Sequence, residues 1–150
     1  GAERRMIPDL ALPLPVERLI PHRSVMRLVE NLVSYEDGAG TVESTIGENT
    51  IFVNADGYLE EAVMVELLAQ SFAALKGYSD LVRGKPIKKG YLVKINDLQV
   101  SGRAKPGGRL LVSIVNSGEI GEFTLGKGTV TCDGDRIASG DFVVWLPEGR

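Results

Sequence analysis

One segment constrains the fold of this chain more than any other. Between Leu59 and Lys76 it reads LEEAVMVELLAQSFAALK, dense in strong helix formers and free of proline. Asp56 is the predicted N-cap, Glu60 and Glu61 put negative charge in the first turn, and Gly77 is predicted to stop the helix after Lys76. From Ala62 to Leu75 only Glu66, Gln70 and Ser71 are polar. A helix that is apolar on nearly every side is one surrounded by protein.

The remainder reads as strand. Arg27 to Tyr35 is apolar and β-branched, and the turn Glu36-Asp37-Gly38-Ala39-Gly40 leads to a return strand from Thr41 to Ile46. Beyond the helix, strands are predicted over Tyr91–Val100, Leu110–Val115, Glu122–Cys132 and Ile137–Leu146. Pro106-Gly107-Gly108 separates the first two, and Asp133-Gly134-Asp135, a strong hairpin signal, joins the last two. A short helix is predicted near Val16 to Ile20, stopped by Pro21. The expected architecture is α+β: two strands, one long buried central helix, then about four strands, with a single curved antiparallel sheet wrapped around the helix.

No repeat, low-complexity tract or linker interrupts the chain. Its 150 residues suit a single domain, predicted over 15–150, with 1–14 an N-terminal extension in which Gly1 is read as a cloning remnant. Ile7 to Val16 is broken by Pro8, Pro13 and Pro15 and is not expected to serve as a signal-peptide core. A net charge of −3 with scattered basic residues argues against a nucleic-acid partner, and no apolar run approaches a membrane span. Cys132 is the only cysteine, so no internal disulfide can form and a reducing cytoplasm is the expected location. With one cysteine and one histidine, a zinc site of Cys and His ligands is not expected; no metal or cofactor is predicted.

Glu66 stands out for chemistry. A carboxylate among Val63, Met64, Val65, Leu67, Leu68 and Ala69 costs several kcal/mol to keep ionised unless something offsets it. Gln70, four residues on, lies on the same helical face. The plainer alternative is a satisfied buried glutamate, bonded to Gln70 or to backbone across a subunit boundary. His22, the only histidine, sits in the turn Ile20-Pro21-His22-Arg23. It suits general-base work near neutral pH, or a structural bond to a neighbouring carbonyl. Two basic groups, Arg83/Lys85/Lys88/Lys89 and Arg103/Lys105/Arg109, read either as a solvated rim or as docking points for an acidic partner or a phosphate-bearing arm. Gly126-Lys127-Gly128-Thr129 lacks the spacing and following helix of a phosphate loop, and the acids of Asp133-Gly134-Asp135 fall short of a calcium loop.

Three motifs in order carry a family resemblance. Leu19-Ile20-Pro21-His22-Arg23 with Met26-Arg27-Leu28-Val29-Glu30, then Val65-Glu66-Leu67-Leu68-Ala69-Gln70, then Lys105-Pro106-Gly107-Gly108-Arg109-Leu110 together resemble the 3-hydroxyacyl-acyl-carrier-protein dehydratases of the FabZ/FabA type. The likeness spans roughly Leu19 to Leu146. It implies a hotdog fold, a homodimer or higher homo-oligomer with a continuous sheet, and an acyl-thioester tunnel at the interface. One departure stands out. The family's Gly-His-Phe-Pro turn, whose histidine partners the glutamate, corresponds here to Thr50-Ile51-Phe52-Val53-Asn54-Ala55-Asp56-Gly57, and neither Ile51 nor Phe52 can move a proton. In this the chain looks more like the divergent dehydratase-like hotdog proteins of aryl-polyene pathways.

The resemblance implies dehydration of a 3-hydroxyacyl thioester carried on acyl carrier protein, with coenzyme A as the other carrier left open. Glu66 is the implied acid, His22, facing Glu66 of the other subunit, the implied base, and backbone N–H groups near Gly57 and Tyr58, with Gln70, the implied substrate contacts. Two alternatives remain open at this level: a hotdog thioesterase using Glu66 alone, and a non-catalytic acyl-binding partner of an active homologue.

Overall fold

The computed structural model describes residues 10–16, 19, 27–47 and 52–148. Among them the chain runs β1 Leu14–Pro15, β2 Asn31–Glu36, β3 Ala39–Ser44, α1 Ala62–Val82, β4 Tyr91–Val100, β5 Leu110–Ile120, β6 Phe123–Cys132 and β7 Asp135–Trp145. The strands form one sheet in the order β1-β2-β3-β5-β6-β7-β4, each neighbour pair antiparallel. The segment containing α1 thus carries the chain from the middle of the sheet to its far edge. Beyond the expected strands lies β1, two residues that pair Leu14 with Leu32 and Pro15 with Asn31.

Helix α1 packs against β2, β3, β5, β6 and β7, five consecutive strands. Strands about 4.8 Å apart make that contact surface about 19 Å wide. A helix is only about 10 Å across, so the sheet has to curl around it to touch along that width. Leu67, Leu68 and Phe72 of α1 meet Val42, Val112, Ile114 and Phe142 of the sheet in one core. Space for the helix comes partly from glycine: a side chain on Gly128 of β6 would run into Leu68, and one on Gly126 into Phe142, whose ring meets Phe72 edge-on at 5.2 Å. These glycines seat the helix, which accounts for a sequence that superficially resembled a phosphate loop.

The hairpin predicted at Asp133-Gly134 forms, with φ of +50° and +93° at the two positions, as a tight turn with both central residues left-handed requires. The helix boundaries differ from expectation. Asp56 is not the N-cap: α1 starts five residues later than that aspartate implies, after Glu61, which makes no side-chain capping bond. Asp56 instead lies in a turn where the Asn54 side-chain oxygen accepts the N–H groups of Asp56 at 2.9 Å and Tyr58 at 3.2 Å. Nor does Gly77 end the helix. It is buried mid-helix because a side chain there would collide with the carbonyl of Leu19, and tertiary packing overrides its helix-breaking tendency. The helix runs to Val82, and Gly84, at φ +72°, supplies the left-handed residue just past its end.

Leu10 and Leu14 are buried in the core, and the Tyr78 hydroxyl donates to the Leu10 carbonyl at 3.1 Å. The packed unit therefore takes in part of the stretch expected as an N-terminal extension. Of the short helix expected at 16–20, only Val16 and Leu19 are described, and the Leu19 N–H donates to the Val16 carbonyl at 2.8 Å. Among the described residues no helix is long and apolar enough to cross a membrane.

Candidate active site

The sheet does not enclose α1 on all sides. Ala62, Glu66, Ala69, Ala73 and Lys76, spaced four, three, four and three residues apart, form a stripe that is exposed or half-buried. Glu66 lies on it and is exposed, correcting the expectation of a buried carboxylate. Its apolar sequence neighbours Val65 and Leu67 point to other sides of the helix, so the linear run overstated how apolar its surroundings are.

Glu66 is nonetheless held in place. The Gln70 side-chain amide donates to Glu66 Oε2 at 3.0 Å, and Gln70 Oε1 accepts the backbone N–H of Leu28 at 2.7 Å. The Leu28 carbonyl in turn accepts the Ser44 hydroxyl. This chain of bonds fixes which end of the Gln70 amide faces the glutamate, with the oxygen spent on Leu28 and the NH2 group turned to Glu66. Glu66 Oε1 has no hydrogen-bond partner among the described residues. Sequence spacing found this pair; the Leu28 anchor, 42 residues away, left no local signal.

The open stripe forms one wall of a cleft of about 300 Å3. Phe72, Leu92, Val144 and Leu146 make it apolar, Glu66 and Gln70 give it a polar point, and Lys88 and Lys89 contribute cations. Residues from β4 form the opposite wall. That strand ends the sheet, pairing with β7 on one side only, and Tyr91, Leu92 and Val93 at its start are 45%, 38% and 56% exposed. An apolar strand edge with free backbone groups is a template for another chain.

The other expected site residues fare differently. His22, Arg23 and Ile51 lie outside the described residues. The segment containing His22 is flanked by described residues tied to α1, Leu19 against Gly77 and Leu28 at Gln70. Gly57 and Tyr58 are not at the helix N-terminus, and their N–H groups are already donated to the Asn54 carbonyl and side chain, so they are not free to receive a thioester carbonyl. Tyr58 lines a separate cleft. Phe52 is half-buried against the core. Cys132 is buried, and desolvation, together with the charge of Asp133, pushes its thiol above the usual range, which disfavours the nucleophilic thiolate. Among the described residues no group of three or more His, Cys, Asp or Glu is placed to hold a metal ion.

Gln70→Leu tests the anchor. It strands the buried Leu28 N–H, for an expected stability loss of about 1–3 kcal/mol by chemical denaturation, and frees Glu66 to change rotamer.

Comparison with known proteins agrees with this architecture. A 3-hydroxyacyl-[acyl-carrier-protein] dehydratase FabZ from an Anaeromyxobacter species is 27% identical over 155 aligned positions, covering 99% of this chain and 97% of that protein. Among solved structures, the dehydratase heterocomplex ApeI:P from Xenorhabdus doucetiae superposes with a TM-score of 0.81 at 22% identity, over 90% of this chain and 92% of that one. A Streptococcus mutans protein bound to acetyl CoA gives a TM-score of 0.67 at 16% identity, over 85% and 95% of the two chains. The helix wrapped by one antiparallel sheet is the hotdog fold. The family described as ApeP dehydratase matches residues 14–149, nearly the whole described chain, and to this ApeP-like family the protein belongs.

Proposed function

We propose that the protein dehydrates a 3-hydroxyacyl thioester carried on acyl carrier protein, giving the trans-2-enoyl thioester. The observation that carries this is the Glu66–Gln70 pair, anchored by Leu28 and set against an apolar cleft. Membership of the ApeP-like family and the likeness to a FabZ dehydratase support it.

The reaction needs a base for the α proton, made acidic by the thioester, and an acid for the departing β-hydroxyl. Glu66, with Oε2 held by Gln70, presents Oε1 to the substrate and delivers the proton with which the hydroxyl leaves as water. His22 takes the α proton, the pair of electrons forms the new double bond, and proton return from base to acid resets the site. Leu28, in the described flank of its segment, is bonded to Gln70 beside Glu66, which supports this role for His22, reaching Glu66 of the partner subunit.

The working unit is a dimer paired along β4. A second chain there would extend the sheet, cover Tyr91, Leu92 and Val93, and close the cleft beside Glu66, supplying the desolvation that a single chain leaves incomplete. The partner is a second copy; a related hotdog chain is the alternative, given that the ApeI:P structure is a heterocomplex.

Incubation with a 3-hydroxyacyl thioester of acyl carrier protein decides the activity. An enoyl thioester with the carrier still attached is the expected product. Free thiol released to Ellman's reagent would instead mark a thioesterase, and no turnover by the chain alone, with activity on adding a co-purified hotdog partner, would mark a dependent subunit.

A further inference from the structure

The open stripe of α1 has an end as well as a wall. Past Glu66 it continues as Ala69 and Ala73, whose methyl groups keep the floor of the cleft low, and then meets Lys76. Asp80, four residues on, continues the same face, yet it is only 2% exposed. The segment leaving the helix folds back beside this point. Lys85 N–H donates to the Asp80 carbonyl at 2.8 Å, and Lys88, Lys89 and Gly90 line the cleft. Gly90 sits so near the cleft wall that a side chain there would strike Val144 and Leu146.

Lys76 and Asp80 make this end an ion pair. The ammonium lies 2.9 Å from Asp80 Oδ1, with the two side chains 18% and 3% exposed. The other described ion pairs span 3.4 to 3.8 Å, and each has an exposed member. Asp80 Oδ2 has no hydrogen-bond partner, so among the described residues Lys76 is the cation that compensates this buried carboxylate. Swinging the lysine away would leave an uncompensated charge, which holds it where it is. Its stem of methylenes then stands between two clefts. Phe72 and Lys76 line both the cleft beside Glu66 and a second, of about 190 Å3, edged by Tyr35, Ser79 and Asn116.

We propose that Lys76, held by Asp80, is the stop that limits the length of acyl chain the cleft accepts. Lys76 meets the far end of the acyl group, and Asp80 is a positioning residue that acts through it. The proposal rests on the reading of the protein as acting on acyl thioesters, and adds where along α1 the acyl group ends. Glu66 and Lys76 are ten positions apart, about 15 Å along the helix axis. An extended chain advances about 1.2 Å per bond, so about a dozen carbons span the distance from the reacting centre to the lysine. A longer chain would press its terminal methyl against a charge pair already withdrawn from water, and would gain no apolar contact by doing so.

Titration calorimetry with S-alkyl thioethers of pantetheine, from six to sixteen carbons long, tests this without any turnover. On wild-type protein the affinity is expected to rise about threefold per added methylene and to level off at about twelve carbons. K76A/D80A, which removes both charges together and leaves no lone one buried, is expected to bind the sixteen-carbon chain at least about tenfold more tightly than wild type. Its affinity for the six-carbon chain stays the same, which a general loosening of the fold would not allow. Ala73→Leu raises the floor one turn nearer Glu66 and is expected to lower the limit by about four carbons, an independent reading should the double variant fail to fold. A wild-type affinity that climbs to sixteen carbons, or a limit left unmoved by either variant when folded, overturns the proposal. If the limit shifts as expected but no thioester is dehydrated, the stop stands and the dehydratase reading falls; dehydration with an unmoved limit does the reverse.

Discussion

Glu66→Gln is expected to lower kcat for dehydration by about 10³-fold while leaving KM nearly unchanged. The replacement is almost isosteric, and its amide oxygen can still accept from Gln70, so the helix and the cleft wall stay as they are. What disappears is a group able to hand a proton to the leaving hydroxyl. Because that interaction exists only as the C–O bond breaks, its loss appears in kcat and kcat/KM together. His22→Ala is expected to cost a comparable factor, since α-proton removal then falls to water. Full activity in the histidine variant would remove His22 from the mechanism and leave Glu66 as the sole ionisable catalyst. Both are measured as enoyl-thioester formation under saturating substrate.

Phe72→Ala is the substitution expected to cost most in stability, about 3–5 kcal/mol. Phe72 is 2% exposed and stacks edge-on with Phe142, whose ring fills the space left by Gly126. Truncating it loses both the transfer energy of the ring and the contacts around the residual cavity. Against a total of about 5–15 kcal/mol this is a large share, and the melting temperature should fall by roughly 6–20 °C. Urea unfolding with an unchanged slope checks that the native state alone was weakened. A loss below about 1 kcal/mol would mean that Phe142 and the helix close up over the gap.

Regular elements were legible because their signals are local. The β4 range predicted from sequence coincides with the observed strand, and the Asp133-Gly134 turn is encoded by the residues that adopt it. What failed depends on distant contacts. Gly77 reads as a stop signal, yet it passes mid-helix because Leu19 leaves no room for a side chain. Asp56 reads as a cap, yet Asn54 claims that turn. The candidate site divides in the same way. Helical spacing pairs Glu66 with Gln70, but the bond that orients Gln70 comes from Leu28, and the exposure of Glu66 depends on where the sheet stops.

The unpaired edge at β4 has a bearing on how this protein is handled and assayed. If the cleft beside Glu66 is completed by a second chain, the amount of active site follows mass action, and specific activity should decline on dilution and recover when protein is added back. Turnover plotted against total protein would then curve upward at low concentration, and the concentration at the bend reports the strength of pairing. A chain kept far below that point would present Tyr91, Leu92 and Val93 to any strand that meets them, so the same surface that assembles an enzyme at working concentration invites precipitation when its proper partner is scarce.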